Sequence, residues 1–248
     1  MASDILCGRP RIGPYVSRFR NQGAWNAKSR LTPRQALNDG GQGKVVVLPG
    51  ASSGIREGVA EKLADAGATL LLVARNAERL EAIASKIKKR GGKACIYPGD
   101  LTDLEECDRI CQQALADHGR VDILINNAGI ASFMPITETS DTAWDEVLAL
   151  NLSSVFRICR DAVPLLKASS SGRIINIGSV MSTFGGAGLS AYAASKHGVA
   201  GLTKCLASEL GEFAITANFI QPGAILTEIT RGSIQQYPQM EAFWRDKA

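Results

Sequence analysis

The sequence has few of the residues that build metal centres, disulfide scaffolds or membrane spans. It contains two histidines and six cysteines, and the cysteines are scattered without a Cys-x-x-Cys pair. We therefore expect reduced thiols in an intracellular protein and no metal site. No apolar run approaches the ~20 residues of a membrane span, and the N-terminus lacks the apolar stretch of a signal peptide. These absences predict a cytoplasmic protein without a membrane partner.

Motifs of two other enzyme classes are also absent. No Gly-Lys-Ser/Thr follows the glycines Gly50 and Gly54, which excludes a P-loop. Ser179 does not lie in a Gly-x-Ser-x-Gly turn, which argues against a hydrolase. His118 and His197 have no triad-like setting, and we expect both to be surface residues.

The positive charge of the chain is concentrated at its N-terminus. Residues 1–43 hold seven basic and two acidic side chains, whereas residues 44–248 hold 21 basic and 22 acidic ones. The near-neutral body argues against a nucleic-acid partner. Residues 1–43 show no periodicity, and we interpret them as a flexible basic leader. An organelle transit peptide is the alternative, because the segment is Arg-rich and acid-poor.

From Lys44 onwards, short apolar strands alternate with helical segments. Val45–Leu48 is wholly apolar and rich in β-branched residues, as expected of a strand buried on both faces. This alternation predicts one α/β domain over residues 44–248, a Rossmann-like doubly wound parallel sheet with six strands. The predicted strands are 45–48, 69–74, 94–97, 121–125, 173–177 and 215–220, and the predicted helices are about 55–66, 77–90, 103–118, 140–149, 151–168 and 191–211.

Two features indicate a nucleotide site at the ends of the first two strands. Gly50 and Gly54 lie between a strand and a helix, where backbone N–H groups can approach a pyrophosphate, although two glycines often mark only a tight bend. The second strand ends at Ala74, where a protein that prefers NAD usually has an acid. Arg75 follows and suits a 2′-phosphate, which predicts NADP. The other interpretation of Arg75 is a solvated arginine that leads a helix.

Tyr192 and Lys196 are four residues apart and share one helix face. A free tyrosine has a pKa near ~10, and a nearby cation favours the phenolate, so the pair suits acid–base chemistry. This spacing alone is weak evidence, because helices carry it by chance with the lysine solvated. Likewise, Ser179 could be an ordinary strand-end serine and Asn151 a helix cap.

Together these motifs resemble those of the short-chain dehydrogenase/reductase family over residues 44–248. The segments around Ser179 and Tyr192 are similar to 3-oxoacyl-carrier-protein reductases and to sugar-acid or polyol dehydrogenases. The resemblance implies an NADP(H)-dependent oxidoreductase acting on a sugar acid, polyol, keto ester or 3-oxoacyl thioester. The matching residues, in order, are Gly50-x-x-x-Gly54-Ile55, Gly99-Asp100-Leu101, Asn126-Asn127-Ala128-Gly129, Asn151, Ile177-Gly178-Ser179, Tyr192-x-x-x-Lys196 and Gln221-Pro222-Gly223.

The resemblance also implies roles for individual residues. Tyr192 would be the general acid, and Ser179 would bind and position the carbonyl oxygen. Lys196 would lower the pKa of the tyrosine and bind the nicotinamide ribose, and Asn151 would hold a water that links this lysine to solvent. The implied cofactor-binding residues are Gly50, Ser52, Ser53, Gly54, Ile55, Arg75, Asp100, Leu101, Asn127, Ala128, Gly129, Pro222, Gly223 and Thr227.

Three departures from the family pattern put activity in doubt. Arg56 replaces the third glycine of the phosphate loop, and Pro49 replaces a threonine whose hydroxyl it cannot supply. The sequence stops at Ala248, before the family's last helix and seventh strand, which leaves strand 215–220 at an edge. The expected assembly is then a homodimer through helices 151–168 and 191–211. The alternative to a working enzyme is a catalytically impaired or inactive Rossmann-type binding protein.

Overall fold

The structure, a computed structural model, describes residues 40–52 and 55–223, with the side chains of Ile55, Arg56 and Leu104 excepted. Its six strands form one sheet in the order β3-β2-β1-β4-β5-β6, and every neighbouring pair is parallel. The predicted Rossmann-like sheet of six strands is therefore confirmed. The strands are β1 (Val45–Pro49), β2 (Thr69–Ala74), β3 (Lys93–Pro98), β4 (Ile123–Asn126), β5 (Arg173–Ile177) and β6 (Thr216–Ile220).

Helices connect the strands close to the positions that the sequence predicts. One difference concerns the predicted helices 140–149 and 151–168, which are joined by a π-helical turn, Ala149–Ser153, into one continuous run. Side-chain caps from Asn76, Asp103 and Ser140 begin three of the helices. The helices are α1 (Ile55–Asp65), α2 (Ala77–Lys89), α3 (Leu104–His118), α4 (Asp141–Leu148), α5 (Ser154–Lys167) and α6 (Ser190–Leu210).

The sheet separates two apolar cores, because successive strand residues point to opposite faces. Val46 of β1 packs with α1 and α2 on one face, and Val47 packs with α3, α5 and α6 on the other. The chain adds β2 and β3 on one side of β1, then crosses to add β4, β5 and β6 on the other. Ligands of such sheets bind in the crevice at the carboxyl ends of the strands where this reversal occurs, here β1 and β4.

The residues just before β1 contact the domain. The Gly43 N–H donates to the Gly67 carbonyl (3.1 Å), and the Lys44 N–H donates to the Gly41 carbonyl (3.0 Å). Residues 40–43, assigned to the leader from the sequence, therefore lie against the domain, and residues 1–39 lie outside the described part. None of the helices in that part is long and apolar enough to cross a bilayer.

Asp122 joins three segments at the amino ends of the strands. Its side chain is fully buried and accepts hydrogen bonds from the Val45 N–H (2.9 Å), from Arg120 (2.6 Å) and from the Ser169 hydroxyl. Burial alone would raise the pKa of Asp122. The hydrogen bonds from Arg120, Ser169 and Val45 outweigh it and hold the pKa below the ordinary value of 3.8.

We expect Asp122→Asn to lower the free energy of unfolding by about 2 kcal/mol at pH 7, because Val45 and Arg120 lose an ionised acceptor. The folded-state pKa is lowered, so the wild-type contribution is present above 3.8 and is lost as the pH falls below that value. Urea unfolding at pH 7 and at about pH 3 should show the difference between the two proteins shrinking. Asp108→Asn, which removes a surface ion pair to Arg160, should cost less than about 0.5 kcal/mol. An equal effect of both substitutions at pH 7 would contradict the role of Asp122.

Candidate active site

The crevice at the carboxyl ends of β1, β2 and β4 contains a cavity of about 310 Å³. This volume lies at the lower end of small-molecule sites, which range over ~300–1,000 Å³. Several predicted cofactor residues line it, namely Gly50, Ser52, Arg75, Asp100, Leu101, Ala128 and Gly129. The cavity is also lined by residues that were not selected from the sequence, including Asn76, Arg79, Ile130 and Leu150.

Gly50 allows β1 to approach β4 closely at the floor of this cavity. Its φ is +80°, and a Cβ placed on it would lie 2.5 Å from the Ala128 Cα. The preceding residue, Pro49, continues β1 in register with Val73, and its carbonyl accepts from the Asn127 N–H (3.3 Å). The proline that replaces the family's threonine therefore ends β1 without breaking its pairing.

We expect Gly50→Ala to cost about 2–3 kcal/mol of stability, because the new methyl group combines a positive φ with contact against the Ala128 backbone just after β4. The matched control is Gly58→Ala in α1, where a Cβ would meet nothing within 4 Å. That change should leave stability unchanged or raise it by about 0.5–1 kcal/mol. Thermal unfolding of both variants checks this, and a Gly50→Ala protein as stable as Gly58→Ala would show that the close approach is not required.

Arginines and one carboxylate form the outer wall of the cavity. Arg75 Nη1 lies 4.0 Å from Asp100 Oδ2, and both side chains are largely exposed. Asp100 Oδ1 accepts from the N–H (2.9 Å) and the hydroxyl (2.8 Å) of Thr102. The Thr102 N–H contributes most to holding the pKa of Asp100 below its ordinary value, and Arg75 adds to this effect. With Arg79 also on the wall, this end of the cavity suits a negatively charged group.

Lys196 is buried next to Tyr192 on α6. Only 5% of Lys196 is exposed, its Nζ donates to the Ile177 carbonyl (2.8 Å), and the same atom lies 5.8 Å from the centroid of the Tyr192 ring. A buried ammonium is costly unless it is paired or hydrogen-bonded. The solvated-lysine interpretation of the Tyr–Lys spacing is therefore wrong.

Asn151 is fully buried in the π-helical turn between α4 and α5. Its Oδ1 accepts from the Ile130 N–H (2.9 Å), and its Nδ2 donates to the Ile130 carbonyl (2.9 Å) and to the Ser195 hydroxyl oxygen (3.1 Å). The side chain therefore joins the strand-end loop of β4 to α6 instead of capping a helix. π-Helical turns are often found at functional sites.

The cavity and the buried residues Asn151 and Lys196 meet at Gly129. A Cβ on Gly129 would lie 3.1 Å from Asn151 Oδ1 and 3.5 Å from Lys196 Nζ. Gly129 is about twenty positions from Asn151 and about seventy from Lys196 in the chain, and the structure brings the three together. Ser195, which was not selected from the sequence, completes the connection because its hydroxyl donates to the Tyr192 carbonyl (2.7 Å).

Ser179 follows β5 and is buried beside α6. Its Oγ accepts from the Met181 N–H (3.1 Å), and its own N–H donates to Ser182 Oγ (3.2 Å), so it caps a short 3₁₀ turn. Because Ser179 Oγ acts as an acceptor in this bond, its hydroxyl hydrogen remains available to donate to another group. Pro222 lies next to this turn, because its carbonyl accepts from the Val180 N–H (3.1 Å).

Comparison with known proteins identifies the family. The family model for short chain dehydrogenase matches residues 44–238. The chain belongs to the short-chain dehydrogenase family. This short-chain dehydrogenase is 36% identical over 190 residues to the 3-oxoacyl-[acyl-carrier-protein] reductase of Escherichia coli K12. The aligned part covers 77% of each chain. The predicted resemblance is confirmed, and the protein is an oxidoreductase by family.

Solved structures agree with this assignment. A dehydrogenase/reductase from Sinorhizobium meliloti 1021 is 37% identical with a TM-score of 0.75, over 79% of this chain and 78% of the other. A metagenomic short-chain oxidoreductase in complex with NADP is 36% identical with a TM-score of 0.71, over 74% and 84%.

Some predicted residues of this short-chain dehydrogenase are not placed by the structure. Ser53, Gly54 and Thr227, like the side chains of Ile55 and Arg56, lie outside the described part. Asn127 is buried and bonded to Pro49 instead of lining the cavity, and Gly223 is exposed beyond β6.

The two histidines differ from each other. His197 is exposed, as predicted. His118 is partly exposed, but Nε2 of its ring is buried at the end of α3. That helix end faces β3, and this packing is not visible in the local sequence.

Proposed function

We propose that this short-chain dehydrogenase is an NADP(H)-dependent oxidoreductase that interconverts a carbonyl group and an alcohol on a small molecule. The observation that carries the proposal is the buried Lys196, held by the Ile177 carbonyl beside Tyr192 and next to Gly129 at the end of the crevice. A buried cation next to a tyrosine is costly for stability, and acid–base catalysis explains it.

The crevice fits the cofactor. At its floor, Gly50 lets the end of β1 contact the Ala128 backbone, and Gly129 leaves room beside Asn151 and Lys196. Arg75 and Arg79 would hold a 2′-phosphate, and Asp100 would accept hydrogen bonds from the adenosine. When bound, NADP(H) supplies or accepts the hydride.

The protein's own residues supply orientation and proton transfer. Tyr192 gives its phenolic proton to the carbonyl oxygen during reduction, and the Lys196 ammonium stabilises the phenolate that remains. Ser179 donates its hydroxyl hydrogen to the same oxygen and fixes its position. Asn151 holds the Ile130 backbone and, through Ser195, the first turn of α6, and it would retain a water that returns protons to Lys196.

The proposed substrate classes are sugar acids, polyols, keto esters and 3-oxoacyl thioesters. The similarity to a 3-oxoacyl-[acyl-carrier-protein] reductase supports the inclusion of thioesters. The test follows NADPH oxidation by absorbance with one compound of each class, and identifies the alcohol product by mass spectrometry. Turnover with any class supports the proposal, and no product from any of them would contradict it.

A second candidate is a catalytically impaired Rossmann-type binding protein. Arg56 favours it, because the arginine stands at the position of the third glycine of the family's phosphate loop. In that case the chain would bind NADPH weakly or not at all, and restoring glycine at this position would restore binding.

We also propose a homodimer formed through α5 and α6. Phe156 on the outer face of α5 is 50% exposed, and Arg160 and Pro164 follow it on the same face at helical spacing. Several exposed positions of α6 carry small residues, Ala194, Gly201 and Ser208, so a second copy could approach closely there.

We expect Phe156→Glu to weaken dimerisation at least ~30-fold, because a central aromatic anchor is replaced by a charge that must be desolvated. Analytical ultracentrifugation over a range of concentrations measures this. Phe184→Glu is the matched control, since Phe184 is 57% exposed but lies in the loop after β5. Equal association of wild type and Phe156→Glu would place the interface elsewhere.

The cysteines favour the cytoplasm as the compartment. All five cysteines in the described part are free thiols. Three of them, Cys107, Cys111 and Cys159, are buried, and burial raises the pKa of each to between about 11 and about 12. Such thiols stay protonated and inert, which agrees with a reducing environment.

A further inference from the structure

Three potential metal ligands lie close together near the amino ends of the strands. Cys95 lies in β3, and Asp117 and His118 are the last two residues of α3. One ligand atom from each residue, a thiol sulfur, a carboxylate oxygen and a ring nitrogen, lies within 4.8 Å of the other two. Because α3 runs antiparallel to the strands, its C-terminal end lies near the amino ends of the strands, opposite the crevice.

The imidazole of His118 provides an independent observation. Its Nε2 is buried and has no hydrogen-bond partner among residues 40–52 and 55–223. A buried polar atom without a partner destabilises the folded state, and such groups are rare in folded proteins. A neutral imidazole nitrogen is also the commonest protein ligand for metals, and Nε2 is one of the two ring nitrogens of His118 that can coordinate one.

The three donor types select the class of metal. A thiolate, an imidazole and a carboxylate are the ligands of zinc, whereas Mg²⁺ and Ca²⁺ take oxygen ligands. Donors around a tetrahedral zinc lie ~3.3–3.8 Å apart, so the limit of 4.8 Å needs only small side-chain movements. Asp117 is exposed, which leaves the fourth position open to water, and its Oδ1 accepts from Gln113 Nε2 (2.8 Å), which orients the carboxylate.

We propose that Cys95, Asp117 and His118 bind a zinc ion that joins the end of α3 to the edge strand β3. Among the described strands, β3 pairs only with β2, so a metal bridge to α3 would secure this outer strand of the sheet. The ligands come from two separate elements, and zinc binding therefore stabilises the folded state. The site is apart from Tyr192 and the crevice, so the metal affects stability and not the chemistry of the reaction.

Cobalt absorption and thermal unfolding test the site. The full chain is stripped with a chelator and titrated with CoCl₂, whose thiolate complexes show a charge-transfer band in the near ultraviolet. We expect one cobalt per chain with this band. Zinc at a hundredfold excess over its Kd should displace the cobalt and raise the Tm by about 5 °C or more.

Matched variants decide whether these residues are the ligands. Cys95→Ser and His118→Gln should lose both the band and the rise in Tm, and Cys205→Ser, which removes an exposed cysteine of α6, should keep both. Asp117→Asn changes an exposed side chain, so it should fold normally and bind cobalt more weakly. The proposal is overturned if the wild type gives no band and no rise in Tm, or if Cys95→Ser retains them.

Discussion

Tyr192→Phe will lower turnover of NADPH with a reactive ketone by ~10²–10⁴-fold, while the affinity for NADPH stays within about twofold. The substitution removes only the phenolic oxygen, which is the group that we propose exchanges a proton with the substrate. The ring remains, so Lys196 keeps its bond to the Ile177 carbonyl and the cavity keeps its lining. Steady-state kinetics and a separate cofactor titration measure the two quantities.

Tyr97→Phe is the control for this experiment. Tyr97 lies on β3, its hydroxyl donates to Glu106 (3.0 Å), and it is not among the proposed catalytic residues. Its removal should leave turnover within about twofold of the wild type. If Tyr192→Phe instead abolished NADPH binding, the tyrosine would be structural, and its assignment as the general acid would be wrong.

Arg75→Asp will weaken NADPH binding by ~10–100-fold and reverse the preference toward NADH. A charge-assisted contact between a guanidinium and a phosphate contributes about 1.5–3 kcal/mol, and the new carboxylate would repel the 2′-phosphate. The same carboxylate could accept hydrogen bonds from the ribose hydroxyls of NADH. Calorimetric titration of both cofactors against wild type and variant gives the ratio of affinities.

Two further arginines make this test specific. Arg79→Gln should weaken NADPH binding without affecting NADH, because Arg79 lines the same cavity. Arg109→Gln, on the surface of α3, should change neither affinity. An unchanged cofactor preference in Arg75→Asp would remove Arg75 from the phosphate site.

The fold could be predicted from local sequence because its signals are local. Apolar β-branched runs mark strands buried on both faces, and glycines such as Gly119, at φ +71°, mark helix ends. The π-helical turn at Ala149–Ser153 could not be predicted in this way. Its hydrogen bonds span one residue more than those of an α-helix, and its apolar pattern is nearly the same.

The site could be predicted less completely, because its contacts join distant segments. The Tyr192–Lys196 spacing indicates a shared helix face, but only the tertiary structure shows that Lys196 is buried against the Ile177 carbonyl. Asn151 binds backbone atoms of Ile130, and backbone atoms carry no sequence signal. Arg79 is four residues after Arg75, and this repeated arginine is the one signal that could have found it.

The cluster of Cys95, Asp117 and His118 shows the same limit. Cys95 is more than twenty positions from the other two residues, and the parallel topology alone brings β3 next to the end of α3. A search of the sequence for metal ligands at short, regular spacing therefore finds no site. The tertiary structure nevertheless brings one candidate set of ligands together.

Titration of this chain with NADPH and NADH, beside its Arg56→Gly variant, tests the central claim most directly. It requires no knowledge of the substrate, and it measures whether the arginine in the phosphate loop permits cofactor binding. The proposed function predicts that both proteins bind NADPH, and that the wild type binds NADH at least ~10-fold more weakly. Binding of NADPH by the Arg56→Gly variant alone would contradict it and would show that the natural chain is not a working reductase.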